Sequence, residues 1–518
     1  MASLFGAMFM GSLDNTIVST ALRSIILDLG HQDLAPWIGS AYLISSASLA
    51  TLYGKFADIF GRRIMFLFAM IMFEVGSLVC GIAGSVETLI VGRALAGVGG
   101  GGIGVLVLII IADIVPRRER PKWQSIMGVA VGVSSILGPL VGGAFSDHLS
   151  WRWCFYINIP FGVLIILCIA MQRFPVIEGN ALEKIKRIDW WGILTLFLAI
   201  VCFVTPSTWW NNPGMELCPV LTLLPLSIIL AASFAYIELK VAIDPIVPPS
   251  MFVNANVPVL LSIALNVGAI FFSAVYFISL FFQVVNGLSA SAAGVATIPL
   301  VLGMVITTMA SGLLVSKTGR YTFYFYLGPV FLIVGAVLMS MLNGESYAIE
   351  RVSYLLIFGF GAGFIYQTRV VALQSSVPTK YIAVVTALAT TCLLLGGAVG
   401  IAVTGTVFNN LVASNASHYE TLQTFVSALQ KQGYPAETTE VLGLLALIHK
   451  AGEKFPQYAA VSVEASSQLI ASFNSAFKVA YLSLLPYPIL MLILAVFVKQ
   501  INPHDSAAKE LPRLPLEA

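Results

Sequence analysis

Long apolar runs are the feature of this sequence that most restricts what it can fold into. Fourteen such runs are separated by glycine, proline and charged residues. They cover residues 3–25, 35–56, 64–84, 88–112, 123–144, 153–173, 189–207, 218–239, 257–284, 290–315, 322–342, 352–375, 382–408 and 474–499. A helix that crosses a bilayer needs about 20 mainly apolar residues. The pattern therefore predicts an all-α, polytopic membrane protein with fourteen transmembrane helices.

The composition argues against a soluble protein and against several functions. Only 10% of the 518 residues are charged, whereas a soluble domain has about 25%, so lipid is the expected solvent. The formal net charge of +2 gives no electrostatic basis for binding nucleic acid. The six cysteines form no CxxC pair, and no GxxxxGK[ST] loop is present. We therefore expect no metal site, no cofactor and no use of ATP.

The start of the chain predicts no cleavable signal peptide. The first basic residue is Arg23, whereas a signal peptide opens with a positively charged region. Either the first apolar run is its own insertion signal, or a cytosolic leader is missing.

A glycine-marked turn occurs twice, at Gly54–Arg63 and at Gly312–Tyr321. In each copy the second glycine follows the first by seven residues, and an arginine comes directly after it. The same offset of 258 residues relates Gly138–Gly142 to Gly396–Gly400. The repeat predicts two related six-helix halves. The predicted domains are the N-terminal half 1–173, a linker with two inserted helices 174–256, the C-terminal half 257–499 with an outer loop 409–472, and a cytosolic tail 500–518.

The distribution of Lys and Arg predicts the orientation in the membrane. With Gly54–Arg63 in the cytosol, 18 of the 27 Lys and Arg residues are cytosolic, seven lie outside, and Arg93 and Arg369 fall within runs. Both glycine turns and both chain ends are then cytosolic. The outer loop holds the sequence Asn-Ala-Ser at 415–417, which predicts N-glycosylation of Asn415.

Five motifs resemble those of a known family. They are Leu13–Val18, Gly54–Arg63, Arg93–Gly101, Gly128–Gly143 and Trp151–Pro160. Together they resemble the fourteen-span drug:proton antiporters of the major facilitator superfamily, of the fungal toxin and multidrug efflux type. The resemblance implies a major facilitator fold, with two six-helix halves related by an axis along the membrane normal, plus two inserted helices. The second turn departs from the pattern, because Ser316 stands at the acidic position.

Ionisable residues inside the apolar runs are candidates for proton coupling, because a charge in the bilayer costs about 2.5–3.5 kcal/mol on insertion scales. Asp14 lies near the middle of the first run, where it could bind and release a proton; alternatively, it hydrogen-bonds a neighbouring helix. For Arg93 the resemblance implies a role in proton movement, and the alternative is a side chain that reaches the headgroups. For Glu74 the resemblance argues against a cavity role, and a structural hydrogen bond is the other interpretation.

The first glycine turn is predicted to act as a cytosolic gate. Asp58 can pair with Arg62 and Arg63, and these arginines can also pair with Asp113 at the end of the fourth run. Such pairs would hold the cytosolic side closed in one state and break in the other. The predicted gate residues are Gly54, Asp58, Gly61, Arg62, Arg63 and Asp113.

Small residues mark the fifth run. Gly128, Gly132, Gly138 and Gly142 have the spacing that lets helix backbones approach closely, and Pro139 removes one backbone hydrogen bond. We expect a bent, closely packed helix between the halves, which holds the cavity shut to the cytosol or blocks proton leak. Plain helix packing is the alternative.

Aromatic and weakly polar residues are candidates for the lining of a substrate cavity. They are Trp37, Tyr42, Phe271, Phe272, Tyr276, Phe282, Gln283, Tyr366, Gln367 and Gln374. As a set they suit large amphipathic organic molecules better than sugars or ions, although each aromatic could instead face lipid or the core. Arg369 would favour anionic groups, or anchor the cytosolic end of its helix.

The sequence predicts a secondary active transporter, not an enzyme. It would export small organic compounds (drugs, toxins or secondary metabolites) in exchange for protons by alternating access, in the plasma membrane. One alternative is a proton-coupled importer or a vacuolar carrier, for siderophores or basic amino acids. Alternatives of another class are a transporter-like sensor, which the short tail after Lys499 disfavours, and a membrane-embedded enzyme, which the lack of a mid-span histidine disfavours.

Overall fold

The structure, a computed structural model, describes residues 1–29, 34–172, 189–209, 217–242, 244–416 and 459–501. Its α-helices are α1 (Ala2–Leu29), α2 (Ala35–Phe60), α3 (Arg62–Gly81), α4 (Val86–Ile114), α5 (Arg120–His148), α6 (Trp153–Tyr156), α7 (Asn158–Met171), α8 (Trp190–Trp209), α9 (Leu217–Lys240), α10 (Asn256–Val284), α11 (Ala290–Ala296), α12 (Ile298–Thr318), α13 (Thr322–Met339), α14 (Ala348–Tyr366), α15 (Thr368–Ser375), α16 (Ile382–Ala416), α17 (Ala459–Leu482) and α18 (Pro486–Ala495). Two short 3-10 helices are Pro249–Val253 and Thr379–Tyr381. No strand occurs in the described residues, and the predicted all-α fold class is confirmed.

Eleven helical segments of the described chain are long and apolar enough to cross a membrane. The helices α1, α2 and α8 are not among them. Asp14 and Asn15 interrupt the apolar sequence of α1, four serines lower the hydropathy of α2, and α8 is apolar only over Trp190–Pro206. The polytopic membrane class is confirmed, whereas the count of fourteen spans stays a prediction.

Some predicted spans are interrupted or longer than expected. Short breaks at Ile157, Thr297 and Gln367 divide three of them into helix pairs. The predicted outer loop 409–472 is shorter at both ends, because α16 continues to Ala416 and α17 begins at Ala459. The rest of that loop, like residues 174–188 of the linker and 502–518 of the tail, lies outside the described residues.

The same packing pattern occurs twice along the chain. In the first half the most extensively packed pairs are α1 with α5, α2 with α4, and α3 with α4. In the second half α10 packs on α16, α12 on α14, and α13 on α14. Between the halves, α5 packs on α12 and α2 packs on α16. This pattern is what two related six-helix halves would produce, and the exact domain bounds stay a prediction.

The inserted helix α8 lies beside the contact between the halves. It packs on both α2 and α16, and its Ile200 and Val204 form one apolar cluster with Ile44 and Ala47 of α2. The second inserted helix, α9, packs mainly on α8 and exposes large apolar side chains such as Ile228. An apolar exposed surface of this kind is expected to face lipid.

The two glycine turns lie at the same end of the bundle, called the turn end below. Gly61 (φ 98°) separates α2 from α3, and Gly319 (φ 71°) follows α12; glycine tolerates such backbone angles best. The Ser316 hydroxyl, close to Gly319, donates to the carbonyl of Arg118 at 2.8 Å. Arg118 lies in the loop after α4, so the two halves meet at the turn end.

Candidate functional site

A buried ion pair joins α1 and α4. Arg93 Nη1 lies 2.6 Å from Asp14 Oδ2, and the two side chains are 1% and 0% exposed. A buried charge is strongly destabilising without a partner, so each side chain requires the other. The structure buries Arg93 inside the N-terminal half, and Asp14 contacts neighbouring helices.

Asn158, the first residue of α7, binds the other carboxylate oxygen. Its Nδ2 donates to Asp14 Oδ1 at 3.2 Å and to Ser77 Oγ of α3 at 3.3 Å. The pair is therefore held by α1, α3, α4 and α7 together. Asn158 belongs to the motif Trp151–Pro160, but its position in the sequence does not predict a contact with Asp14.

Two residues of α2 complete the surroundings of Arg93. Its Nε donates to the carbonyl of Ile38 at 3.2 Å. The ring of Tyr42 lies under the guanidinium, with Cζ 4.4 Å from the ring centroid, a cation–π arrangement. The Tyr42 hydroxyl donates to the carbonyl of Gly11 on α1 at 3.3 Å. Tyr42, predicted to line a cavity, thus belongs to the ion-pair site.

An apolar cavity of about 460 Å³ borders this site, between α1, α5 and α7. Leu13, Leu137, Phe161 and Asn158 are among its lining residues. Leu13 precedes Asp14 in the chain, and Asn158 hydrogen-bonds to Asp14. Leu137 and Phe161 are exposed apolar side chains, so this space is an open groove with the kind of surface that is expected to face lipid.

Glu74 of α3 is a second acidic residue inside the same half. Its side chain is 9% exposed, and neither carboxyl oxygen has a hydrogen-bond partner among the described residues. A Cβ at Gly162 of α7 would collide with the carboxyl group, so the glycine makes room for it. The structural hydrogen bond considered for Glu74 is thus not present in the described part of the chain.

A second polar cluster lies in the other half, at the break between α14 and α15. Arg369 is 3% exposed, and its Nη1 donates to the carbonyl of Tyr366 at 2.6 Å. Its Cζ lies 5.1 Å from the centroid of the Tyr366 ring, and that ring is 6.0 Å from the ring of Phe271 on α10. Gln367 is buried beside them. Tyr366 and Gln367, both predicted cavity residues, therefore lie next to a buried cation.

Among the predicted cavity residues that belong to neither cluster are Trp37, Tyr276 and Gln283. Trp37 packs in the apolar cluster of α2 with the inserted helix α8. Tyr276 on α10 is 53% exposed, and Gln283 donates to the carbonyl of Ser279 on its own helix at 3.4 Å. The structure brings none of the three to Asp14 or to Arg369.

The predicted gate residues assemble around Arg62. Its Nη2 lies 2.6 Å from Asp58 Oδ1, and its Nε lies 2.8 Å from Asp113 Oδ2. Arg63 differs from the expectation, because it pairs with neither acid and donates to the carbonyl of Ala170 at the end of α7. All these residues belong to the N-terminal half, so the ion pairs join α2, α3 and α4 to each other and not one half to the other.

Other side chains connect the halves at the turn end. Besides the Ser316–Arg118 bond, three hydrogen bonds between side chains cross between them: Thr51 Oγ1 with Thr391 Oγ1 at 2.7 Å, Gln124 Nε2 to Gln374 Oε1 at 2.7 Å, and Arg117 Nη2 to Thr379 Oγ1 at 2.9 Å. The conformation is therefore closed at the turn end. Sequence reasoning did not identify Thr51 or Gln124, because a single small or neutral polar residue in an apolar run gives no signal of its partner.

The first two glycines of the fifth-helix motif face the other half. The helix α5 runs from Arg120 to His148 with Pro139 inside it. A Cβ at Gly128 would lie 2.8 Å from Thr308 Cγ2 of α12, and a Cβ at Gly132 would collide with Val305 of the same helix. These glycines set the distance between α5 and α12.

The other two glycines of the motif face α1. A Cβ at Gly138 would lie 2.8 Å from Cβ of Thr16, and a Cβ at Gly142 would lie 2.6 Å from the carbonyl oxygen of Ile17. Thr16 and Ile17 follow Asp14 by two and three residues, which is less than one helical turn. The helix α5 therefore contacts both the helix that carries Asp14 and the opposite half.

The predicted glycosylation site, Asn415, lies in the last turn of α16, not in a loop. Its Nδ2 donates to Ser475 Oγ at 3.2 Å. The third residue of the sequon, Ser417, lies outside the described residues. Glycosylation stays a prediction.

Comparison with known proteins agrees with this architecture. The family model of the Major Facilitator Superfamily matches residues 4–401. The MFS-type efflux pump MFS1 of Arthroderma benhamiae is 34% identical over 412 residues, which cover 77% of this chain and 76% of that protein. Efflux pump aunC of Aspergillus niger is 36% identical over 418 residues, or 79% and 78% of the two chains.

A solved structure shows the same fold. The crystal structure of the human organic anion transporter MFSD10 matches with a TM-score of 0.59 and 14% identity, over 93% of this chain and 98% of that one. At this identity the likeness concerns the fold alone. From the helical architecture, the repeated packing and the family match, we conclude that the chain belongs to the major facilitator superfamily and is a multi-pass membrane transporter.

Proposed function

We propose that this protein exports small organic compounds in exchange for protons. The observation that carries the proposal is the buried Asp14–Arg93 pair, 2.6 Å apart. Two fungal relatives whose names describe efflux pumps support the direction of transport. The substrates would be amphipathic organic molecules such as drugs, toxins or secondary metabolites.

Protonation of Asp14 is the coupling step of this mechanism. A proton on the carboxylate removes its charge and with it most of the attraction to Arg93, which never loses its own proton. The hydrogen bond from Asn158 and that from Arg93 to Ile38 remain. Because α1 packs along α5 through Gly138 and Gly142, a shift of α1 reaches the contact between the halves. Substrate release and proton uptake would in this way favour the same change of state.

The turn end would be the cytosolic gate. The Lys and Arg distribution puts this end in the cytosol, so the conformation described would be closed to the cytosol. Opening requires that the Thr51–Thr391 and Gln124–Gln374 hydrogen bonds break. A net hydrogen bond is worth about 0.5–1.5 kcal/mol, so these contacts are weak enough to exchange between two states. The proton gradient supplies the energy, and we place the protein in the plasma membrane.

Transport by the purified protein in liposomes, with and without a proton gradient, tests the proposal. Asp14→Asn should lower gradient-driven transport of an amphipathic dye at least about tenfold, since the proton-binding group is gone. Asp28→Asn is the matched control. Asp28 lies at the end of the same helix, where it is exposed and pairs with Arg152. Dye movement that ignores the gradient, or that Asp14→Asn leaves unchanged, would refute proton exchange.

A further inference from the structure

Arg369 is a buried cation without an acidic partner. Among the described residues no carboxylate lies within ion-pair distance of it, and its Nε has no hydrogen-bond partner. Its one hydrogen bond among the described residues is to the carbonyl of Tyr366. A guanidinium does not lose its proton, and a buried charge that is not compensated is strongly unfavourable. The site is therefore incomplete as it stands.

The helices α10 to α16 do not supply the missing charge. Between Asp244 and Glu345 the sequence has no acidic residue, and between Glu350 and Glu420 it again has none. Glu350 lies in the first turn of α14, where it accepts a hydrogen bond from the backbone of Tyr347. The other buried arginine, Arg93, has Asp14; no such residue exists for Arg369 in α10 to α16.

Arg369 lies close to the contact between the two halves. Gln374 on the same short helix hydrogen-bonds Gln124 of the other half. On α16, Cys392 lies near Arg369, and its neighbour Thr391 hydrogen-bonds Thr51 of the other half. Arg369 thus lies close to the surface along which the two halves meet, and transporters of this architecture bind their substrates between the halves.

Aromatic and amide groups surround the cation. The Tyr366 ring contacts both the guanidinium and the ring of Phe271, and Phe271 contacts Phe272 at a centroid distance of 5.6 Å. Gln367 has a buried Nε2 without an acceptor among the described residues. The cluster therefore offers unfilled donors on Arg369 and Gln367 next to flat apolar surfaces.

We infer that Arg369 binds the acidic group of an aromatic organic anion, such as an aryl carboxylate or a phenolate. The acidic group would supply the missing counter-charge, in a charge-assisted hydrogen bond with the guanidinium. Phe271 and Tyr366 would contact the aromatic part. The inference rests on the proposed export function and narrows its substrates from amphipathic molecules in general to those that carry an acid.

Equilibrium binding to the full-length protein in lipid nanodiscs tests the inference without any proton gradient. The probes are 9-anthracenecarboxylate and 9-anthracenecarboxamide, which share one ring system and differ in charge. Wild type should bind the carboxylate at least about tenfold tighter than the amide, equivalent to about 1.4 kcal/mol. Arg369→Gln should remove this preference, and Arg369→Lys should keep part of it, since it keeps the charge and loses the fork of donors.

Arg351→Gln is the matched control, because Arg351 lies at the far end of the same helix pair and its side chain, among the described residues, hydrogen-bonds only the loop carbonyl of Gly344. It should keep the preference for the carboxylate. Equal affinity of wild type for the two probes, or a preference that survives in Arg369→Gln, would overturn the inference. If Arg369→Gln does not fold, the affinities of wild type and of Arg369→Lys for the two probes still test the inference. Proton-driven dye export by a wild type without carboxylate preference would refute the anion site alone and leave the export function standing.

Discussion

Gly54 of α2 lies directly against the carbonyl of Ala383 in the first turn of α16. A Cβ at Gly54 would be 2.9 Å from that oxygen. The same contact occurs on the other side of the molecule, where a Cβ at Gly312 of α12 would be 2.5 Å from Cβ of Ser125 on α5. An offset of 258 residues relates Gly54 to Gly312 and Ser125 to Ala383. Each half thus places the first glycine of its turn motif against the fifth helix of the other half.

This contact predicts that a side chain at Gly54 prevents closure of the turn end. Gly54→Leu would push α2 away from the start of α16, since backbone atoms there cannot rotate aside. We expect at least about a tenfold loss of gradient-driven transport, because a shift of about 1.4 kcal/mol changes a two-state population tenfold. The measurement is dye export from liposomes at equal protein content.

Gly39→Leu is the control for this change. It lies on the same helix, and a Cβ there would meet nothing within 4 Å, so transport should be kept. Closure can be followed directly with the pair Thr51→Cys and Thr391→Cys, whose hydroxyls are 2.7 Å apart. The two thiols should oxidise to a disulfide with Gly54 present and not in Gly54→Leu. A disulfide formed equally in both would contradict the steric account.

The buried ion pair predicts a specific order of stabilities. Arg93→Met leaves Asp14 as a buried charge without a cation, so we expect a loss of about 3–5 kcal/mol, the range for a broken buried pair. The double change Asp14→Asn with Arg93→Met removes both charges and should be more stable than Arg93→Met alone. Thermal unfolding in detergent, at a pH near neutrality, measures the order. A double variant less stable than Arg93→Met would contradict a mainly electrostatic role.

Much of the fold was accessible from the sequence because lipid imposes it. In a bilayer every backbone group must be satisfied within its own helix, so a run of about 20 apolar residues predicts a helix with few alternatives. The breaks at Ile157 and Gln367 were not predictable in this way, because the apolar runs continue through them. The polar residues within α1 and α2 lower the mean hydropathy of these two helices, so the number of membrane spans stays a prediction.

The site was predictable only to the level of residue type. Asp14 and Arg93 were candidates because charges in apolar runs are rare, but their pairing depends on how α1 and α4 pack. The partners Asn158 and Ser77 are neutral and stand out in no pattern. The gate shows the same limit: Asp58, Arg62 and Asp113 come together as their charges suggest, whereas Arg63 is drawn to the carbonyl of Ala170 by the position of α7.

The two acidic residues inside the N-terminal half should differ in function. Asp14 is bound by Arg93 and Asn158, whereas Glu74 has no hydrogen bond to lose among the described residues. Glu74→Gln keeps size and shape and removes a buried group that can carry an uncompensated charge, so it should not lower the free energy of unfolding. It should also keep gradient-driven transport, which Asp14→Asn loses. Equal losses in the two variants would make Glu74 part of the proton path.

The asymmetry between the two turn motifs gives a last prediction. Asp58 supplies one of two carboxylates to Arg62, at 2.6 Å, whereas Ser316 at the matching position of the second turn makes a single hydrogen bond to the carbonyl of Arg118. Asp58→Asn would leave Arg62 with Asp113 alone and weaken the connection between α2 and α4.

Transport should therefore fall more in Asp58→Asn than in Ser316→Ala. We expect a loss of about three- to tenfold for Asp58→Asn, since a change of about 1 kcal/mol in a partly buried pair shifts a two-state population by that amount. Ser316→Ala should lower transport less than about twofold, because the lost bond is neutral and its hydroxyl lies in an exposed contact. Initial rates of dye export, normalised to inserted protein, measure both. Equal losses would mean that the contact across the halves at Ser316 matters as much as the acidic cluster.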